Sequence, residues 1–140
     1  MSGMFSYTSS FNGNISSWDV SKVQEFNNMF SYTKQFNSDI SKWNVSLATN
    51  MISMFHTATN FNQDISNWNV VKVTLMECMF LAAKLFNNPL ANWDVSNVQS
   101  MDSMFFNAIS FNQDLSKWNV GRRRQIRYWP GGGRIYNSSK

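Results

Sequence analysis

Phe61-Asn62-Gln63-Asp64-Ile65-Ser66-Asn67-Trp68-Asn69-Val70-Val71-Lys72-Val73-Thr74-Leu75-Met76-Glu77-Cys78-Met79-Phe80-Leu81-Ala82-Ala83 decides how this chain is read, because most of it recurs 25 residues away in both directions. Phe61-Asn62 returns as Phe11-Asn12, Phe36-Asn37, Phe86-Asn87 and Phe111-Asn112. Trp68 returns as Trp18, Trp43, Trp93 and Trp118, each followed two residues on by a valine. Met79-Phe80 returns as Met4-Phe5, Met29-Phe30, Met54-Phe55 and Met104-Phe105. The register holds without insertion or deletion from Met1 to Val120. A fixed period of this size is the mark of a stacked repeat array, whose units are too small to bury their own apolar faces and use their neighbours instead.

Within one repeat the apolar spacing changes partway along. Val98, Met101, Met104, Phe105 and Ala108 share one helical face, and Ser96 with Gln99, like Ser21 with Gln24, has capping-box spacing just before it. This reading predicts short helices near residues 22 to 33, 47 to 58, 72 to 83 and 97 to 108. The segment Ile65 to Val70 and its copies, with its Trp-x-Val alternation, predicts a short strand stacked in parallel on its neighbours. Pro89, which cannot donate into a ladder, would place the start of that ladder after its own column. The expected fold class is therefore α/β: a solenoid of about five coils, each a strand plus a helix.

Residues 1 to 120 form the expected solenoid and residues 121 to 140 a basic, Gly/Arg-rich tail outside the repeat. Met1 lies in the column of Phe26, Met51, Met76 and Met101, so a coil is read as already in progress there, as in a piece of a longer array with open ends that could self-associate. The net charge of +4 divides unevenly: residues 1 to 120 hold six Lys and no Arg against eight Asp and Glu, whereas the tail holds five Arg, one Lys and no acid. A basic face for nucleic acid is thus not expected on the solenoid. No apolar run is long enough to cross a bilayer, and no signal-peptide plan is present at residue 1.

Chemistry is sparse. A single cysteine, Cys78, allows neither an internal disulfide nor a thiolate zinc site, and its column (Gly3, Asn28, Ser53, Ser103) takes small residues. His56 is the only histidine, in a variable column that reads as surface, with no activated nucleophile beside it. Asp39, Asp64 and Asp114 share one column and Asp19 and Asp94 another. They lack the spacing that gathers enough oxygens for calcium, and read better as caps on turns, with the column Asn12, Asn37, Asn62, Asn87 and Asn112 bonding turn backbone or forming a ladder. Three Asn-x-Ser triplets, at Asn14, Asn44 and Asn137, match the glycosylation acceptor in a chain already rich in both residues. No cofactor and no metal is expected.

The repeat seen from Phe61 to Ala83 resembles the BspA-like leucine-rich-repeat surface proteins, most closely the short-repeat branch abundant in mycoplasma lipoproteins and classed there as a domain of unknown function. The resemblance covers residues 1 to 120, departs at Val71 and Pro89, and is absent from the tail. It implies a right-handed solenoid carried on a cell-surface or secreted protein and used for adhesion or protein binding, with no catalytic residues to transfer.

The functional expectation is a non-enzymatic module for protein binding. Its contact positions would be Ser17, Lys42, Asn67, Asn92 and Lys117, with Asp19, Asn44, Asn69, Asp94 and Asn119, beside the strand column. The tail admits three readings: a solvated extension, a cap laying Ile126, Tyr128 and Trp129 over the last coil, or a binding patch for acidic partners through Arg122, Arg123, Arg124 and Arg127. The last defines the alternative function, an intracellular scaffold fragment that recruits acidic partners. A hydrolase or lectin site is disfavoured because no acid, base and nucleophile cluster breaks the repeat.

Overall fold

In a computed structural model the described residues are 1 to 121. They form a parallel stack in which each residue lies beside its equivalent 25 positions away, but the coils contain neither helix nor continuous strand. The only strand-like pairing among the described residues is three isolated parallel bridges, Glu25 to Asn50, Asn50 to Leu75 and Leu75 to Ser100. The α/β fold class expected above is therefore wrong: helices are absent from 22 to 33, 47 to 58, 72 to 83 and 97 to 108, and no strand runs from Ile65 to Val70.

What replaces them is a succession of tight turns. In the second coil the N–H groups of Met29, Ser31 and Thr33 close turns on the carbonyls of Phe26, Asn28 and Phe30. The N–H groups of Phe26, Asn28, Phe30 and Tyr32 instead donate to Asn50, Ile52, Met54 and His56 of the next coil at 2.7–2.9 Å. Along this wall nearly every amide is thus used either within its coil or between coils, as buried backbone requires. The remainder of the coil continues in the same way: Phe36 bonds back to Thr33, Trp43 to Ile40 and Ala48 to Val45.

The helix forecast failed because apolar residues three apart line up inward on consecutive three-residue turns as well as on a helix. Backbone sign separates the two. Asn28 (φ 57) and Tyr32 (φ 58) lie in the left-handed region, and so do their equivalents in the other coils, Gly3, Ser53, Cys78 and Ser103 in one column and Tyr7, Thr57, Ala82 and Asn107 in the other. A positive φ at the third residue of Phe26 to Met29 and of Phe30 to Thr33 makes these type II turns, and an α-helix cannot contain it. Residues other than Gly and Asn cost about 1–2 kcal/mol each there.

This gives a test by sign. Ala82→Gly removes one methyl and should raise stability by about 0.5–1 kcal/mol by relieving the left-handed strain, whereas in a helix it would cost about 1 kcal/mol. A chemical-denaturation midpoint that falls would contradict the turn geometry.

The inward set is the one the period suggested. Phe30, Phe55, Phe80 and Phe105 are fully buried and stack on one another at 5.4–5.7 Å between centroids. Phe36, Phe61, Phe86 and Phe111 form a second row at 5.8–5.9 Å. The rows meet face to face within each coil, for instance Phe55 on Phe61 at 3.9 Å. The tryptophans lean against the first row, Trp68 on Phe55 at 6.4 Å and 33°. Each interior Trp also reaches back across one coil: the Nε1–H groups of Trp43, Trp68, Trp93 and Trp118 donate to the carbonyls of Ile15, Ile40, Ile65 and Leu90 at 2.8–3.1 Å. Trp18, in the first coil, is 39% exposed, against 4% for Trp43.

Candidate functional site

The polar exterior is built by two side-chain devices. Beside the Phe rows, each Asn of the Asn12 column accepts the backbone N–H of the Asn one coil on: Asn37 to Asn12, Asn62 to Asn37, Asn87 to Asn62 and Asn112 to Asn87, at 2.8–3.0 Å. The following residue adds a second donor, with Gln63 Nε2 bonding both the carbonyl and Oδ1 of Asn37 at 2.8 and 3.0 Å. The column that sequence reading took for a turn-bonding ladder is one. It ties coil to coil where the backbone amides do not pair directly.

The second device is the Asx turn. Oδ1 of Asp19, Asp39, Asp64, Asp94 and Asp114 each accepts the N–H of the Ser two residues on, at 2.8–3.0 Å. Asn14, Asn44 and Asn69 do the same for Ser16, Ser46 and Val71. Where Pro89 replaces the acid, the turn from Leu90 to Trp93 still closes at 3.0 Å. The carboxylate therefore reinforces a turn that the packing of Trp93 already sets.

These bonds hold the five Asp carboxyls below their usual range. At Asp19, Asp39, Asp64 and Asp94 the Ser hydroxyl contributes most and the Ser N–H next; at Asp114 the order is reversed. A carboxyl with a depressed folded value stabilises the fold above the ordinary carboxylate pKa and loses that contribution as pH falls through the lowered value. The chain should hence lose stability below about pH 4. A variant with all five converted to Asn, the residue that already makes this turn at Asn44 and Asn69, should flatten that acid limb in a fluorescence-monitored melt series.

The ten expected contact residues are placed as follows. Ser17, Lys42, Asn67, Asn92 and Lys117 are all exposed and aligned in one row along the stack, as are Asp19, Asn44, Asn69, Asp94 and Asn119. They do not flank a strand, since none forms there, and Asp19, Asn44, Asn69 and Asp94 already engage Oδ1 in their own turns. Arg122, Arg123, Arg124 and Arg127, and the cap or extension readings of the tail, lie outside the described residues.

The lone reactive-type side chains are quiet. Burial, then Glu77 and then Asp102 push the Cys78 thiol up, away from the thiolate that reacts. His56 is half-buried rather than on the surface as expected, its ring 4.8 Å from that of Tyr32, and burial lowers its pKa. Among the described residues, Glu77 Oε2 is a buried side-chain oxygen without a hydrogen-bond partner. No three His, Cys, Asp or Glu converge there as a metal site would require. No helix among the described residues is long and apolar enough to cross a membrane.

Sequence reading missed the corner of the coil next to the second left-handed turn, where Tyr7, Leu85, Phe106 and Ile109 are 48–73% exposed. Its only signal in the sequence was that these columns change identity from coil to coil.

A family described as "Mycoplasma protein of unknown function, DUF285" matches the chain twice, over residues 1–81 and 64–129. No curated protein and no solved structure matches.

Proposed function

This chain belongs to the Mycoplasma family of unknown function DUF285, and we propose that it is a non-enzymatic repeat module that binds protein, carried on a surface or secreted protein and serving adhesion. The observation that carries the reading is the pair of exposed rows, Ser17 to Lys117 and Asp19 to Asn119, which the stack repeats once per coil. An array of this kind offers a long contact surface from one short motif. Resemblance to the BspA-like leucine-rich-repeat surface proteins, carried by the Phe-Asn, Trp-x-Val and Met-Phe recurrences, supports the surface location and the adhesive role.

Sparse and mixed charge on residues 1 to 120 makes such binding weakly salt-dependent. The 140-residue chain, a variant with Lys42, Asn67 and Asn92 changed to Ala, and a variant with Arg122, Arg123, Arg124 and Arg127 changed to Ser would be titrated against immobilised cell-surface proteins and polyglutamate at rising salt. Binding lost in the first variant and kept in the second is expected. Salt-sensitive binding lost only in the Arg variant would replace the adhesive module by the alternative, a scaffold recruiting acidic partners through the tail.

A further inference from the structure

Six large apolar or aromatic side chains stand well exposed among the described residues: Met4, Tyr7, Trp18, Leu85, Phe106 and Ile109. Met4 and Trp18 belong to columns that are buried in every later coil, as Met29 and Trp43 show. The other four all fall on one corner of the coil, the columns headed by Ser6, Tyr7, Ser9 and Ser10. We propose that this corner is a docking strip for an extended, acidic and apolar segment of a partner protein, separate from the polar rows described above.

Shape, charge and pattern each support that occupant. The strip is one corner wide and runs along the stack, with Tyr7 on Tyr32 at 4.7 Å and Tyr32 on His56 at 4.8 Å, followed by Leu81 and Phe106 in the column of His56. A long, narrow surface fits an extended chain better than a globular face. Leu85 (52%) and Ile109 (72%) supply apolar area whose covering is favourable. Exposed Lys34 and Lys84 lie in the same column as Ile109, and no Asp or Glu occupies these columns in any coil. Of the acids that flank these columns, Glu77 and Asp102 are half-buried, while the exposed Asp39 and Asp114, five residues beyond Lys34 and Ile109, accept from Ser41 and Ser116 in their own turns. A segment alternating carboxylates with apolar residues would meet both the Lys heads and the exposed Leu and Ile.

The strip is also aperiodic. Rows such as Asn12 to Asn112 look the same from every coil, so a partner could bind them in any of several registers. On the corner, Ser6, Ser31, His56, Leu81 and Phe106 differ from coil to coil, and so do Ser9, Lys34, Thr59, Lys84 and Ile109. Such a sequence of side chains admits one register, which is what specificity requires.

The test uses substitutions that the fold already carries at equivalent positions. Leu85→Asn copies Asn60 and Ile109→Thr copies Thr59, so the double variant should fold as the parent does. The unsubstituted 140-residue chain, this double variant and Lys34→Glu/Lys84→Glu would be titrated by fluorescence anisotropy with a labelled peptide alternating Glu with Leu and Phe, and with its Lys counterpart. The expected result is binding of the Glu peptide alone, weakened at least tenfold by either variant and unchanged when Lys42, Asn67 and Asn92 become Ala. Equal binding of the Lys peptide, or Glu-peptide binding insensitive to both variants, would overturn the proposal. Parent protein that ignores both peptides but self-associates in sedimentation, with the double variant monomeric, would reassign the strip to a contact between copies.

Discussion

Trp68→Ala is expected to lower stability by about 3–5 kcal/mol, the range for emptying a large aromatic site in a packed core. The side chain is 4% exposed, lies against Phe55 and Trp93, and ties its coil to the preceding one through Nε1–H to the Ile40 carbonyl at 3.1 Å. Three neighbouring coils therefore lose contacts at once, and the Ile40 acceptor loses its side-chain partner. Trp18→Ala should cost much less, because Trp18 is ten times more exposed and stands in the first coil. Trp68→Phe separates the terms by keeping most of the apolar area while deleting the hydrogen bond, for about 1 kcal/mol. Urea midpoints of the three variants measure all of this. Equal losses at Trp18 and Trp68 would mean that the Trp column does not carry the contact between coils.

Deleting Ser53 alone should be worse still, above about 4 kcal/mol, although Ser53 is a small residue. On this wall the amides of Met51, Ser53, Phe55 and Thr57 bond the next coil while those of Met54, His56 and Ala58 close turns within their own. Removing one residue exchanges the two sets and turns Phe55 away from the aromatic row. Removing residues 51 to 75 as a block joins Asn50 to Met76 in register and should lose only one nearest-neighbour interface. Circular dichroism and cooperative melting of the two deletions should therefore order oppositely to the number of residues removed. A folded single deletion and an unfolded block deletion would contradict the register argument.

Much of the interior was legible. The recurrences of Phe61, Trp68 and Met79-Phe80 mark the columns that the structure buries, and the Asn62 and Asp64 columns were read as turn-bonding groups, which they are. Helix and strand were misassigned for a physical reason. Val73, Met76, Met79, Phe80 and Ala83 have a spacing that consecutive three-residue turns satisfy as well as an α-helix, and Ile65 to Val70 alternates in a way that a turn from Ile65 to Trp68 also permits. The discriminating property is the sign of φ, and side chains report it poorly here: Gly3, Asn28 and Asn107 suit the left-handed region, whereas Tyr32, Thr57, Cys78 and Ala82 conceal it. The turn residues Gly, Asn and Ser in the first column, at Gly3, Asn28, Ser53 and Ser103, were the usable hint. The apolar corner was obscured because periodicity draws attention to what repeats, and Leu85 and Ile109 do not.

The wall from Phe26 to Tyr32 has one further consequence, for symmetry. At an ordinary sheet edge donors and acceptors alternate, so two identical edges can pair. Here the amides of Phe26, Asn28, Phe30 and Tyr32 all point toward the following coil, and the carbonyls of Asn27, Met29 and Ser31 all receive from the preceding one. An edge of this wall is thus donor-only on one side and acceptor-only on the other. Two like edges offer each other no bonds, which forbids a two-fold dimer through this wall, while unlike edges match head to tail. Any association along the stack through this wall would therefore be heterologous and open-ended, and a concentration series would read it as a ladder of lengthening species with no halt at two.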